Sequence, residues 1–160
     1  MKGRFLLAAT GSGVGKTTLT LALLRAFSDR GVKVAPFKVG PDYIDPLWHR
    51  AAAKVPSCNL DGWLLPPTIL KALLHKNASK DSVAIIEGVM GLYDGLGITD
   101  KASSAHVARL TGTPVVLVVD GRGVSLSAAA IVLGFRELDP SLSIDGVIIN
   151  QITSKAHYSL

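Results

Sequence analysis

The segment Thr10-Gly11-Ser12-Gly13-Val14-Gly15-Lys16-Thr17-Thr18 decides how this chain folds and what it can bind. An apolar run at 5–9 precedes it, and apolar residues at helical spacing from 19 to 27 follow it. A strand, a glycine-rich turn and a helix in this order form a phosphate-binding loop, in which backbone N–H groups and the positive end of the helix meet an anion. We therefore predict that the chain binds a nucleoside triphosphate.

Most residues of this loop have an expected part in binding the nucleotide and its Mg²⁺ ion. Lys16 is expected to reach the terminal phosphates, and Thr17 to offer its hydroxyl to the metal. The other contacts to the nucleotide are expected from Ser12, Gly13, Val14, Gly15 and Thr18. One position departs from the pattern G-x-x-x-x-G-K-[ST], because Thr10 stands where its first glycine is expected.

Length and composition restrict the class of protein. With 160 residues, of which 48% are apolar, the chain is long enough for one domain with a proper core. No apolar run approaches the roughly 20 residues that span a bilayer, and residues 1–4 show no signal-peptide pattern. The single cysteine, Cys58, excludes an internal disulfide and suits a reducing compartment. We therefore expect a cytoplasmic enzyme domain with no membrane partner.

The formal net charge of +5 does not by itself indicate a nucleic-acid partner. The basic residues are dispersed, and no nucleic-acid-binding motif is visible. Anionic small ligands account for the charge equally well. We therefore expect small-molecule partners and no nucleic acid.

Strands and helices alternate along the chain. Short, β-branched apolar runs predict further strands at 32–38, 83–86, 114–119 and 146–149. Helical patterns occupy 46–53, 67–76, 104–110 and 125–138. This alternation predicts an α/β fold with a doubly wound, mainly parallel sheet flanked by helices, in which ligands bind at the carboxyl ends of the strands.

Polar clusters follow the predicted strands at those carboxyl ends. Asp42 follows the second strand, and Glu87 follows the third, so both carboxylates are expected at the same edge as Lys16 and Thr17. Mg²⁺ prefers oxygen ligands and usually takes one or two carboxylates plus substrate phosphates. The alternative for a single aspartate such as Asp42 is a helix cap or a turn residue.

Four segments give the chain a family resemblance. They are Lys38-Val-Gly-Pro-Asp-Tyr-Ile-Asp-Pro46, Asn59-Leu-Asp-Gly-Trp63, Glu87-Gly-Val-Met-Gly-Leu-Tyr-Asp-Gly95 and Val118-Val-Asp120. Together they closely resemble the cobyrinic acid a,c-diamide synthase family, within a P-loop group that includes dethiobiotin synthetase and its similar threonine-containing loop. The resemblance implies ATP-dependent amidation of the a and c carboxylates of a corrin precursor in cobalamin biosynthesis, through acyl phosphates. A C-terminal glutaminase domain normally supplies the ammonia from glutamine.

The resemblance also implies roles for single residues. Asp42 and Glu87 would hold Mg²⁺ together with Thr17. Lys38 would steady the incoming carboxylate or the acyl phosphate. Contacts to the substrate or to a second metal would come from Asp45, Tyr43 and Asp94, and the contact to the adenine edge from Asn150.

The chain offers no nucleophile for a glutaminase. Cys58 lies in Pro56-Ser57-Cys58-Asn59, without the surroundings of a nucleophile elbow, and we interpret it as a small, half-buried residue. We therefore expect residues 1–160 to be the ATP-binding synthetase part of a longer amidotransferase, truncated at the C-terminal side, with the glutaminase domain absent. The chain stops in what we interpret as the first turn of a helix after Asn150, and a homodimer is left open.

Two other classes remain open. One is a stand-alone ligase of the dethiobiotin synthetase type, against which the 38–46 and 87–95 segments argue. The other is a switch ATPase like ParA and MinD, which dimerises on ATP and typically has an extra lysine where this chain has Gly11. Hydrogenobyrinic acid and nickel-sirohydrochlorin are alternative acceptors within the resembled family. The four histidines show no metal-ligand spacing, and we expect packing or surface roles, with His49 as the first exception to consider because it follows the Asp45-Pro46 turn.

Overall fold

A computed structural model describes residues 3–159, which form six strands and six helices. The strands are β1 (Gly3–Ala9), β2 (Val34–Val39), β3 (Cys58–Leu60), β4 (Val83–Glu87), β5 (Val115–Asp120) and β6 (Ile144–Asn150). The helices are α1 (Lys16–Asp29), α2 (Asp45–Ala53), α3 (Pro67–Asn77), α4 (Ser104–Thr111), α5 (Ser127–Leu138) and α6 (Lys155–Tyr158). The strands and helices predicted from the sequence are all present.

The strands form one parallel sheet in the order β3-β2-β4-β1-β5-β6. From the central β1, the earlier part of the chain builds one side of the sheet and the later part builds the other. The chain therefore changes direction across the sheet beside β1, and a crevice forms at the carboxyl end of β1 at such a switch point. This doubly wound topology confirms the predicted fold class and places the loop after β1 in the crevice.

Helices cover both faces of the sheet, and successive residues of β1 point to opposite faces. Leu6 and Ala8 belong to the core beneath α3 and α4, whereas Leu7 and Ala9 pack with Val14 on the other face. On that second face, α1 contacts α2. The four β1 residues have no exposed surface, so the strand that leads into the phosphate loop is fixed from both sides.

Two short elements show where the sequence patterns were weakest. The strand β3 was not predicted, because its three residues have no apolar alternation and are held at the sheet edge by pairing with β2. The helix α6 begins after Ser154, whose hydroxyl accepts a hydrogen bond from the His157 N–H, so the expected helical turn after Asn150 is present. Among the helices of residues 3–159, none has the length and apolar character needed to cross a membrane.

Candidate active site

The phosphate loop between β1 and α1 is built for an anion. Gly13 and Gly15 have φ values of +75° and +100°, which favour glycine. The helix α1 has no acidic residue in its first turn, and no side chain caps its N-terminus. The first N–H groups of a helix have no partner within the helix. The loop therefore presents donors and the positive end of α1 to a phosphate.

Lys16 is held in this loop by backbone oxygens. Its Nζ donates to the carbonyl oxygen of Gly11 at 3.2 Å and to that of Met90 at 2.5 Å. Burial and the charge of Lys38 lower the pKa of Lys16, against the raising effect of the Glu87, Asp94 and Asp45 carboxylates. Within the described residues this ammonium group contacts backbone carbonyl oxygens and forms no ion pair, so a phosphate can replace those oxygens without breaking one.

A second lysine, Lys38, lies among carboxylates at the ends of β2 and β4. Its Nζ is 2.6 Å from Asp45 Oδ2, 3.3 Å from Glu87 Oε1 and 3.9 Å from Asp42 Oδ2. It also donates to the carbonyl oxygen of Gly88 at 3.1 Å. Only 5% of the Lys38 side chain is exposed. The acidic residues that follow these two strands therefore meet at one edge of the sheet, around a buried cation.

Glu87 connects this carboxylate cluster to the phosphate loop. It is fully buried, and its Oε1 accepts a hydrogen bond from Thr17 Oγ1 at 2.5 Å. Its Oε2 lies 2.6 Å from His49 Nε2. Burial acts to raise the pKa of Glu87, but the His49 hydrogen bond, the Lys38 charge and the Thr17 hydrogen bond together bring it below its ordinary value. Glu87 is therefore an ionised carboxylate in contact with the loop hydroxyl.

Asp42 makes a different set of contacts from Glu87. Its Oδ1 accepts hydrogen bonds from the N–H groups of Ile44 at 2.8 Å and Asp45 at 3.1 Å, at the start of α2. Burial raises the pKa of Asp42, but these N–H groups and Lys38 lower it overall. Asp42 thus acts as a turn residue, which was the alternative interpretation of this position. Its Oδ2 approaches the site at Lys38, 3.9 Å from Nζ. Its role as a metal ligand stays a prediction.

His49 is the buried site residue to which the sequence patterns assigned no role. It is fully buried, with Nε2 against Glu87 and Nδ1 3.0 Å from Ser57 Oγ. The available signal was its spacing of four residues from Asp45, which places both side chains on one face of α2. Cys58, by contrast, is half-buried as expected, and burial raises the pKa of its thiol.

The loop after β4 forms one wall of the site. Asp94 is exposed, and its Oδ2 accepts a hydrogen bond from the Gly91 N–H at 2.9 Å. The carbonyl group of Met90 in the same loop holds Lys16. A mainly apolar pocket of about 260 Å³ lies beside this wall, and its lining includes Trp63, Leu64, Met90 and Leu96. This pocket is a candidate seat for an apolar part of a substrate, next to the polar cluster.

Asn150 and Gln151, at the end of β6, brace the phosphate loop. The Asn150 Nδ2 donates to the Val14 carbonyl at 2.8 Å, and the Gln151 Nε2 donates to the Gly13 carbonyl at 3.2 Å. A Cβ on Gly15 would collide with the Asn150 amide nitrogen. The structure thus places Asn150 at the loop, and its contact with adenine stays a prediction. Ser12 and Thr18 are exposed at the mouth of the same loop, as a nucleotide contact requires.

Comparison with known protein families identifies the family to which the chain belongs. Residues 5–160 match the family described as CobQ/CobB/MinD/ParA nucleotide binding domain. The chain belongs to this family. It is thus a member of a nucleotide-binding family, in agreement with the geometry of its phosphate loop.

Relatives named cobyrinate a,c-diamide synthase confirm the resemblance found in the sequence. The chain is 54% identical over 157 residues to the protein of Salmonella typhimurium and 52% identical over 159 residues to that of Listeria monocytogenes. It is 49% identical over 157 residues to the protein of Thermoplasma volcanium. These matches cover 98% of this chain but only 34–35% of the relatives. The chain therefore spans about a third of the length of these curated relatives.

Two solved structures share the fold. Chloroplast FtsY from Physcomitrella patens superposes with a TM-score of 0.58 at 19% identity, covering 92% of this chain and 49% of that one. The signal recognition particle receptor FtsY from Elizabethkingia anophelis, solved in complex with GDP, gives a TM-score of 0.60 at 16% identity, covering 93% and 49%. At these identities the likeness concerns the fold alone, and with the family match it confirms the predicted P-loop α/β class.

Proposed function

We propose that this chain is the ATP-binding synthetase part of an enzyme that amidates the a and c carboxylates of cobyrinic acid in cobalamin biosynthesis. The names of relatives at 49–54% identity support this acceptor and this reaction. One observation of the structure carries the proposal. Lys16 lies at the phosphate loop, hydrogen-bonded to two backbone carbonyl groups, and the next residue, Thr17, donates a hydrogen bond to the ionised Glu87.

The chemistry of amidation explains why such a site is needed. A carboxylate is a poor electrophile, so one of its oxygens first attacks the γ-phosphorus of ATP, and ADP leaves. The acyl phosphate that results is then attacked by ammonia at the carbonyl carbon, and inorganic phosphate leaves as the amide forms. Phosphoryl transfer depends mainly on positioning and charge neutralisation. Lys16 and the N–H groups of the loop are the residues we propose to hold the phosphates.

The residues around Thr17 fit a magnesium ion. The Thr17 hydroxyl and the Glu87 carboxylate are adjoining oxygen donors of the type that Mg²⁺ prefers. Within residues 3–159, no group of three or more His, Cys, Asp and Glu side chains forms a ready-made metal site. This suits an ion held partly by substrate phosphates. We propose that Thr17 and Glu87, with Asp42, hold the ion, which when bound neutralises charge on the phosphates.

The acceptor carboxylate needs a positive charge, and Lys38 is the candidate to supply it. Asp45 and Glu87 fix the ammonium group of Lys38 at 2.6 Å and 3.3 Å, so its position does not depend on a ligand. We propose that Lys38 provides the positive charge that steadies the acceptor carboxylate and the acyl phosphate. In this proposal Asp45, the first residue of α2, and Asp94, within the loop after β4, orient the acceptor.

The apolar pocket supports a tetrapyrrole acceptor. Its aromatic and aliphatic lining, which includes Trp63, Leu64, Met90 and Leu96, suits the edge of a flat macrocycle. The proposal places the remaining contacts to the acceptor, and the glutaminase that releases ammonia from glutamine, in further parts of a longer chain. The relatives, of which this chain covers 34–35%, are long enough to contain them.

The decisive experiment follows one oxygen atom. The full-length protein is given MgATP, glutamine and cobyrinic acid whose carboxylates carry ¹⁸O, and the phosphate and diamide are analysed by mass spectrometry. An acyl phosphate requires that each amide formed sends one ¹⁸O atom into inorganic phosphate. Amide formation with unlabelled phosphate would contradict the proposed intermediate.

Parallel reactions test the acceptor and the other classes of protein. Hydrogenobyrinic acid and nickel-sirohydrochlorin are offered in place of cobyrinic acid, and the acceptor with the highest kcat/KM is the substrate. ATP hydrolysis that is unchanged by any of these acceptors would contradict the ligase proposal and favour a switch ATPase. Product that requires bicarbonate rather than glutamine or ammonia would favour a ligase of the dethiobiotin synthetase type.

A further inference from the structure

The buried imidazole of His49 has no part in the chemistry described so far. It lies on α2, has no exposed surface, and makes a 2.6 Å contact through Nε2 with Glu87 Oε2 and a 3.0 Å contact through Nδ1 with Ser57 Oγ. Both ring nitrogens therefore have partners. The position of a buried polar ring of this kind depends on its hydrogen bonds as well as on its packing.

The contact with Glu87 fixes which atom donates. An ionised carboxylate only accepts hydrogen bonds, so the His49 Nε2 carries a proton and donates to Oε2. The Ser57 hydroxyl can donate a hydrogen bond to Nδ1 or accept one from it. This second hydrogen bond fixes the orientation of the imidazole ring. One oxygen of Glu87 is thereby occupied by His49, and the other faces the Thr17 hydroxyl at 2.5 Å.

We propose that His49 is a positioning residue for the metal site: by occupying Oε2 it turns Oε1 of Glu87 toward Thr17 and toward the ion. This inference rests on the proposed function, because it assumes that Glu87 and Thr17 hold the metal of a bound nucleotide.

The helix α2 adds a second consequence. His49 and Asp45 lie on one face of α2. His49 contacts Glu87 on the proposed metal side of the site, and Asp45 contacts Lys38 on the proposed acceptor side. The metal side and the acceptor side of the site are thus fixed by one rigid element.

The test uses two variants of the full-length protein that differ in one hydrogen bond. His49→Gln keeps an amide N–H that can donate to Oε2, whereas His49→Phe fills similar space without a donor. The dissociation constant of Mn²⁺ in the presence of ATP is measured from the electron paramagnetic resonance signal of free Mn²⁺. The affinity for metal-free ATP is measured by calorimetry.

We expect His49→Phe to weaken Mn²⁺ binding by about tenfold or more, the usual effect of losing a residue that orients a metal ligand. His49→Gln is expected to stay within about threefold of the unmodified protein, and both variants to bind metal-free ATP normally. Equal Mn²⁺ affinities for His49→Phe and the unmodified protein would overturn the inference. So would a His49→Gln protein as weak as His49→Phe, or a matching loss of metal-free ATP affinity, since each would indicate a structural role only.

Two further variants keep the result interpretable. If His49→Phe fails to fold, Ser57→Ala replaces it: loss of the partner of Nδ1 is expected to weaken Mn²⁺ binding about threefold, and no loss would overturn the inference.

Glu87→Gln separates this inference from the proposed function. If Glu87→Gln loses Mn²⁺ affinity while both His49 variants keep it, only the role of His49 is wrong. If Glu87→Gln binds Mn²⁺ normally, the proposed metal site is wrong as well.

Discussion

The phosphate loop and the carboxylate cluster each hold a buried lysine, but with opposite electrostatic partners. Lys16, in the loop, hydrogen-bonds to carbonyl oxygens of Gly11 and Met90. Lys38, in the cluster, forms ion pairs with Asp45 and Glu87 at 2.6 Å and 3.3 Å. A buried charge that is paired in the protein has a fixed position before a ligand arrives, whereas one that is met by dipoles can bind an incoming anion without losing an ion pair.

This difference assigns separate tasks to neighbouring regions. The loop is arranged for a ligand that brings its own negative charge, such as the phosphates of ATP. The cluster is arranged to keep its carboxylates ionised and fixed before any ligand arrives, which is the preorganisation that phosphoryl transfer requires. Removing each lysine should therefore affect a different property of the protein.

The largest effect on stability is expected from Lys38→Met. The substitution leaves Glu87 and Asp45 without their buried counter-ion, and breaking a buried pair in this way costs about 3–5 kcal/mol. The measurement is the free energy of unfolding in urea. The matched control is Lys33→Met, just before β2, because Lys33 pairs with Asp81 while its side chain remains 70% exposed. The control should lose less than about 1 kcal/mol. Equal losses for the two variants would show that the cluster contributes no more than a surface pair.

A smaller effect is expected from Gly15→Ala in the phosphate loop. Its φ of +100° is unfavourable for alanine, and the added Cβ collides with the amide of Asn150. We expect a loss of about 1–3 kcal/mol in unfolding free energy and weaker ATP binding. Gly11→Ala is the control, because a Cβ there meets nothing within 4 Å and its φ is ordinary. The double variant Gly15→Ala with Asn150→Ala should recover the part of the loss that comes from the collision. If Gly15→Ala and Gly11→Ala are equally stable, the backbone of the loop is not fixed as described.

The smallest effect on stability is expected from a change of pH. Burial raises the pKa of Glu87 and so offsets part of the lowering by His49, Lys38 and Thr17. Its pKa in the folded protein lies below the ordinary value of 4.5. The unfolded chain then binds the proton first as pH falls, so the stability that ionised Glu87 contributes is complete above pH 4.5 and is lost as pH falls through the folded pKa. Urea unfolding of the protein and of Glu87→Gln, from neutral pH to about pH 3, should show their difference narrowing below pH 4.5. A constant difference over this range would mean that Glu87 has the same pKa in the folded and unfolded chain.

The sequence predicted the fold because its signals were local and strong. The apolar runs of β1, β4 and β5 and the glycine-rich turn before α1 each specify an element within a few residues. It also predicted that Asp42 and Glu87 would lie at the same edge of the sheet, because parallel strands bring their carboxyl ends to one edge. These patterns depend on neighbouring residues or on a general rule of topology, so one sequence is sufficient to detect them.

The contacts within the site could not be predicted in the same way. That Glu87 would face His49 and Thr17, or that Asp42 would accept hydrogen bonds from the backbone just before and at the start of α2, depends on how α1 and α2 pack on the sheet. Three residues of β3 pair only because β2 is already in place. Asn150 reaches the phosphate loop from the end of β6, at a sequence distance that no periodic pattern spans. Such details are set by tertiary packing, which overrides local preference.

Calorimetric titration of MgATP into the protein and its Lys16→Ala variant tests most directly whether the phosphate loop binds nucleotide. Loss of a charge-assisted contact to the phosphates should reduce affinity by about 2–3 kcal/mol, or roughly 30- to 150-fold. The unfolding free energy should change far less than in Lys38→Met, because Lys16 leaves no carboxylate unpaired. Lys33→Ala, at an exposed position, should bind MgATP normally. Equal affinities for Lys16→Ala and the unmodified protein would contradict the assignment of this loop to nucleotide phosphates.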